Sequence, residues 1–198
     1  MLASHLIFSA HGFWLPNDPR GSWSKCVRSL DLYRAAGPAT TTGAQSSVAY
    51  AEHDRAARLA AKSSLTYPPV RFDSAQARVL AKAFKEAAVE SSYAVYALAV
   101  MPDHVHAVVG IHANAPSRII AHWKARSTQA LIAAGLHPFA GRVRKDGRVP
   151  QVWAHRGWKV FLSTPDDVWR AIDYVNQNPI RASMRPQRYS FLTDFKAT

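Results

Sequence analysis

The chain has 198 residues, 48% of them hydrophobic, and carries 25 Lys and Arg against 13 Asp and Glu for a formal net charge of +12. Its single cysteine, Cys26, excludes an internal disulfide and a cysteine-rich zinc site, and its longest wholly apolar run, residues 93–101, is less than half of what a spanning helix needs. The charge favours a polyanionic partner, since Lys and Arg displace counterions from a phosphate backbone, and with no basic leader the expected setting is the reducing cytoplasm.

In chain order, Ala3 to Ser9 reads as a first strand, followed by a loop at Gly12 and Pro16. Residues 16–47 are rich in Pro, Gly, Ser and Thr and read as a long surface excursion. The Ala, Leu and Arg content of 48–62 favours a helix, which Pro68-Pro69 ends. Asp73 with Gln76 forms a capping-box start for a helix to about Ser91, striped by Leu80, Ala83, Phe84, Ala87 and Ala88. Residues 93–100 and 104–111 read as an antiparallel hairpin of strands, and 116–134 as a helix stopped by Gly135. Beyond a basic loop, 151–162 is extended around Gly157. Thr164-Pro165-Asp166-Asp167 then starts a helix that Pro179 breaks at Asn178. This order is that of an α+β fold, an antiparallel sheet with helices packed on it. It is read as one domain over 1–198, with an insertion at about 16–65 and a basic C-terminal tail at about 180–198.

Three short features bear on chemistry. In a strand, His104 and His106 project from one face and can offer two imidazoles to a metal. Val105, Ala107, Val109 and Ile111 make the opposite, apolar face, which leaves the histidines on the more open one. A bare His-x-His equally describes two half-exposed strand histidines. Tyr174 and Asn178 lie one turn apart on the flank of a helix whose apolar arc centres on Val168, Ile172 and Val175. A core tyrosine and a C-capping asparagine show the same spacing. The string Gly12-Phe13-Trp14-Leu15-Pro16-Asn17-Asp18-Pro19-Arg20-Gly21 has plain turn chemistry, in which Asp18 and Arg20 can simply fix the loop.

The charge is concentrated as well. Residues 118–159 hold nine Lys and Arg (118, 124, 126, 142, 144, 145, 148, 156 and 159) against one acid, Asp146, and include Trp123, Trp153 and Trp158. Basic and aromatic residues interleaved in this way suit single-stranded nucleic acid, and they equally suit a solvated basic face over a tryptophan core.

Met101-Pro102-Asp103-His104-Val105-His106, followed 68 residues after the second His by Tyr174-Val175-Asn176-Gln177-Asn178-Pro179, resembles the single-tyrosine HUH transposases, with Val105 as the hydrophobic U. Within them it is similar to the REP-associated tyrosine transposases, a likeness that extends to GFWLPNDPRG and to Trp158–Leu162. The resemblance implies a ferredoxin-like sandwich with the His pair on a central strand and the tyrosine on a C-terminal helix. It also implies a divalent ion, Mg²⁺ or Mn²⁺, held by His104, His106 and Asn178, and Tyr174 as the nucleophile that forms a covalent 5′-phosphotyrosine. The implied partner is single-stranded DNA folded into a hairpin. Arg142, Arg144, Lys145 and Arg148 would lie along it, Lys124, Arg126, Arg156 and Lys159 would belong to the same basic tract, and Arg181 would extend it. Lys124 is assigned either to the reacting phosphate or to ordinary backbone contact. Asp103 stands where relatives often have Asn. A domesticated, non-cleaving hairpin-binding protein, and a replication initiator or relaxase, are the alternatives. Monomer and homodimer stay open.

Overall fold

The computed structural model describes residues 1–43, 48 and 51–197. Its elements in order are β1 (Ala3–Ser9), α1 (Leu30–Ala36), α2 (Arg55–Ser63), α3 (Ser74–Glu90), β2 (Val95–Val100), β3 (His104–Gly110), α4 (Pro116–Ala133), β4 (Trp158–Leu162) and α5 (Pro165–Arg181). The chain divides into two compact units: Met1–Ala10 with Arg71–Thr198, and His11–Val70.

Alternation along the strands builds the first unit. Its four strands pair antiparallel in the order β2-β3-β1-β4, with Ile7 opposite His106 and Ala3 opposite both Gly110 and Leu162. One face of the sheet carries an aromatic core, in which Phe8 lies 5.9 Å from Phe84 and 5.1 Å from Trp153, and Phe84 stacks on Trp123 at 5.1 Å. Phe84 comes from α3 and Trp123 from α4, and each such buried large side chain contributes about 1.5–3 kcal/mol. The other face is built of small residues. Ala3, Ala97, Ala99 and Val108 pack with Val168, Ala171 and Val175 of α5 in one buried cluster. Alanines let the helix axis approach the sheet, so α5 lies close over β2 and β3. This is the expected α+β architecture.

Two of the helices start at capping boxes. Asp73 and Gln76 form the expected capping box of α3, and Thr164 and Asp167 form one for α5. Four boundaries differ from the sequence reading. The helix expected from residue 48 begins at Arg55, because the Asp54 side chain accepts the Ala57 N–H and caps it there. Residues 49 and 50 lie outside the described residues. The excursion at 16–47, of which 44–47 also lie outside, contains α1, a seven-residue helix capped by Ser29 and too short to show a periodic stripe. Only Trp158–Leu162 of the extended 151–162 is a strand, with Trp153 making an isolated bridge to Ala10. Pro179 does not end α5 at Asn178. The helix runs on to Arg181, since proline here forfeits one N–H near the terminus while the Ala182 N–H still reaches the Asn178 carbonyl.

In the His11–Val70 unit, Leu15, Leu32 and Ala61 bring the α1 and α2 segments together. The Phe13–Gly21 loop is closed by a buried ion pair in which Arg20 Nε and Nη2 each donate to an Asp18 carboxylate oxygen at 2.7 Å. The guanidinium lies 3.8 Å above the Trp14 ring, whose Nε1 donates to the Gly21 carbonyl. Asn17 Nδ2 donates to the carbonyls of Leu32 and Gly37, which ties the loop to α1. Asp18→Ala removes the carboxylate from a buried guanidinium and is expected to cost about 3–5 kcal/mol by chemical denaturation, whereas Arg34→Ala at the end of α1 is expected to stay within about 0.5 kcal/mol.

A second internal clamp holds the return into β4. Lys124 of α4 donates through Nζ to the carbonyls of Ala154 (2.7 Å) and Arg156. Arg156 has a left-handed φ of 64°, and a Cβ on the next residue, Gly157, would come within 2.8 Å of the Ile7 carbonyl oxygen. Lys124→Met removes the donor from two carbonyls and is expected to destabilise the chain by about 1–3 kcal/mol. Burial lowers the Lys124 pKa from 10.5 to about 8. Between those values the unfolded chain holds a proton that the folded chain has released, so the stability of the wild type relative to Lys124→Met should rise as pH increases from about 8 to 10.5.

Candidate active site

Period-two alternation decides which side chains face α5. On β3 these are His104, His106 and Val108, and on β1 they are Ala3 and His5, the latter opposite Val108. Because α5 covers this face, it is not the open one expected from the sequence. His106 is 6% exposed and His5 8%, while His104 lies at the strand start with more of its ring accessible.

Tyr174 comes down from α5 onto these rings. Its ring centroid is 5.6 Å from that of His106 and 5.8 Å from that of His5, both edge-on, and His5 and His106 are 5.1 Å apart. His104 lies 4.9 Å from His106. Asn178, one turn beyond Tyr174, has a buried amide nitrogen with no hydrogen-bond partner among the described residues. The guanidinium of Arg181 lies 5.6 Å over the Tyr174 ring. Tyr174, Asn178 and Arg181 recur at helical spacing, and so share one side of α5.

The rings are tied from behind. His104 Nδ1 is 2.7 Å from an Asp103 carboxylate oxygen, and the other oxygen of that carboxylate accepts from Arg71 at 3.0 Å. His106 Nδ1 is 2.9 Å from His5 Nε2. Burial pushes the His5 pKa down to about 4. The His106 pKa falls well below its ordinary value, through burial first and then the neighbouring His104 and His5. Both therefore stand as neutral imidazoles at neutral pH, the form in which nitrogen lone pairs can ligate a cation.

A divalent cation fits this donor set. Among the described residues no group of three or more His, Cys, Asp or Glu can hold a metal, so an ion at the His pair would need a different third donor. The candidate is Asn178, one turn beyond Tyr174, whose amide oxygen would take the place of the buried, unpartnered nitrogen on a 180° rotation about χ2.

The basic residues are dispersed. Lys124 is committed to its two carbonyls. Arg126 pairs with Glu90 at 3.3 Å, and Arg144 with Asp146 at 3.4 Å. Arg142, Lys145 and Arg148 are exposed on the 140–149 loop, which turns through Gly147. Arg156 and Lys159 are exposed before and on β4. Of this set, Arg181 lies over the Tyr174 ring. Of the interleaved tryptophans, Trp123 and Trp153 are buried in the aromatic core, so the core reading holds for them. His5 was not foreseen. Its position is explained only by the β1–β3 register, although a lone His in an otherwise apolar strand is a signal that sequence inspection can pick up.

Residues 68–155 match the family described as "Transposase IS200 like", a segment shorter than half of the chain that includes the His pair and ends before α5. No curated protein matches the chain. A solved structure described as a REP-associated tyrosine transposase bound to a REP hairpin is similar at 12% identity and a TM-score of 0.47, over 92% of this chain and 69% of that one. Over residues 68–155, where the His pair lies, the chain is similar to the IS200-like transposases.

Proposed function

We propose that the chain is a single-strand DNA endonuclease and strand transferase that acts beside hairpins, with Tyr174 as its nucleophile. The observation that carries the reading is the packing of the Tyr174 ring against His106, 5.6 Å between centroids, on a helix whose next turn brings Asn178 to the same side. Hairpin DNA as substrate follows from the motif resemblance.

The residues have separate tasks. His104, His106 and Asn178 would hold a divalent cation. When bound, such an ion neutralises charge on a phosphodiester and orients it, and of Mg²⁺ and Mn²⁺ the imidazole donors favour Mn²⁺. The Tyr174 oxygen attacks the phosphorus, forming the phosphotyrosine bond as the bond to the 3′-oxygen breaks. The phenolic proton leaves, and the departing oxygen is protonated to a 3′-hydroxyl. One ester is exchanged for another, so the 3′-hydroxyl can reverse the step onto a new end with no external energy source. Arg181 supplies positive charge beside the phenol ring and suits a phosphate bound there. Burial keeps His5 and His106 neutral.

Incubation with hairpin-bearing single strands from the flanks of its own gene and Mn²⁺ should yield a covalent adduct that mass spectrometry locates at Tyr174. Tyr174→Phe should lose cleavage and keep hairpin binding, and unchanged cleavage would remove Tyr174 from the role. Binding without any adduct in the wild type would instead favour a non-cleaving hairpin-binding protein.

The exposed cations of the 140–149 loop are read as backbone contacts. Hairpin affinity should fall steeply with salt, and neutralising Arg142, Lys145 and Arg148 together should flatten the slope of log affinity against log salt by about 2, at roughly 0.7 per contact on a single strand. An unchanged slope would place the DNA elsewhere.

A further inference from the structure

Both histidines of the pair have Nδ1 occupied, and by different kinds of group. For His104 the neighbour is a carboxylate, which can only accept from a neutral or charged imidazole. His104 Nδ1 therefore carries a proton and donates it to Asp103, which puts the lone pair of the neutral ring on Nε2. For His106 the neighbour is another imidazole, and two ring nitrogens 2.9 Å apart must share one proton between them.

The direction of that bond decides what His106 can do. Were His5 the donor, neutral His106 would carry its own proton on Nε2 and have no lone pair to offer a cation. With His106 as donor, His5 keeps its proton on Nδ1, its Nε2 accepts, and His106 Nε2 is free. Resting on the metal reading above, we propose that His5 is a positioning residue whose Nε2 accepts the Nδ1–H of His106 and locks that ring in the ligating tautomer, as Asp103 does for His104. The strands make the arrangement rigid. His5 sits on β1 diagonally across from His106, with Val108 opposite His5 and Ile7 opposite His106, so the bond spans a hydrogen-bonded strand pair. The Tyr174 ring lies edge-on to His5, 5.8 Å away. Ligating histidines are commonly oriented through their second nitrogen, by carboxylate or carbonyl; here a second imidazole fills that place for His106. A neutral acceptor adds no charge next to the ion, in contrast to Asp103 beside His104.

The test reads the tautomer directly. Long-range ¹H–¹⁵N correlation spectra of the metal-free wild type should show His106 protonated on Nδ1 and bare on Nε2. His5→Phe, which keeps an aromatic ring and removes the acceptor, should shift His106 toward the Nε2–H form and weaken Mn²⁺ binding by about 10–100-fold, measured by electron paramagnetic resonance of free Mn²⁺. His5→Gln, whose amide oxygen can accept the same proton, should restore most of that affinity. A wild-type His106 protonated on Nε2, or an undiminished Mn²⁺ affinity in His5→Phe, overturns the role of His5. His104→Ala addresses the metal reading itself: if Mn²⁺ affinity survives that change, the ligand assignment fails, whereas an affinity lost in His104→Ala and kept in His5→Phe overturns only the positioning role. The wild-type spectrum needs neither a variant nor a metal, so a misfolded His5 variant does not spare the proposal.

Discussion

The close approach of α5 to the small-residue face of the sheet is the constraint on which the candidate site depends. Ala3, Ala97 and Ala99 remove bulk from the strands, and Val168, Ala171 and Val175 fill the space from above. The same approach brings Tyr174 to within ring-packing distance of His5 and His106. Core and site are therefore one surface, with the apolar contacts toward the middle of the helix and the polar ones along its flank. A larger residue at Ala97 or Ala99 would lift the helix and separate the phenol from the imidazoles before it unfolded anything.

That packing also sets the chemistry of the rings. Covering the sheet face desolvates His5 and His106, which holds both neutral without any metal present. A neutral pair costs less to bury than a charged one, so the sheet tolerates three histidines on one face, provided that their second nitrogens find partners. Asp103 and His5 meet that requirement for His104 and His106. Asp103 is itself held by Arg71, whose guanidinium lies in the segment that leads into α3. The carboxylate in place of the asparagine common in the resembling family thus has an identifiable structural role here, as the acceptor behind a histidine.

Much of this was legible from residue order because the signals were local. The capping pairs Asp73/Gln76 and Thr164/Asp167 act within one turn, and the helices begin there. The hairpin of β2 and β3 follows from β-branched runs joined by a short turn, and the His-x-His spacing fixes a common face whatever packs on it. What escaped was non-local. The burial of that face depends on α5, which lies more than fifty residues downstream of β3, and the approach of His5 to His106 depends on the β1–β3 register. The partners of Lys124 are non-local as well. A lysine in a basic tract looks available to phosphate, but the left-handed turn at Arg156 leaves carbonyls that this lysine satisfies.

The C-terminal segment shows how the fold protects the geometry it builds. β2 is an edge strand, and its free edge would otherwise present unpaired amides beside the site-bearing β3. The segment after α5 returns along that edge. The Gln187 side-chain amide both donates to the Val100 carbonyl and accepts its N–H, and the Thr193 N–H reaches the Val95 carbonyl. Phe195 then closes the core beneath α5, packing edge-on against Tyr96 of β2 and Trp169 of the helix. The helix is thereby held from both its ends, by the Thr164 capping box at the start and by a chain that leaves its last turn and pins itself to the sheet. A tyrosine on a helix anchored in this way has little freedom to swing, so under the proposed function substrate would be brought to Tyr174 rather than Tyr174 to substrate. On that reading the charge placed to meet a substrate beside the phenol is Arg181, which is exposed and lies over the Tyr174 ring.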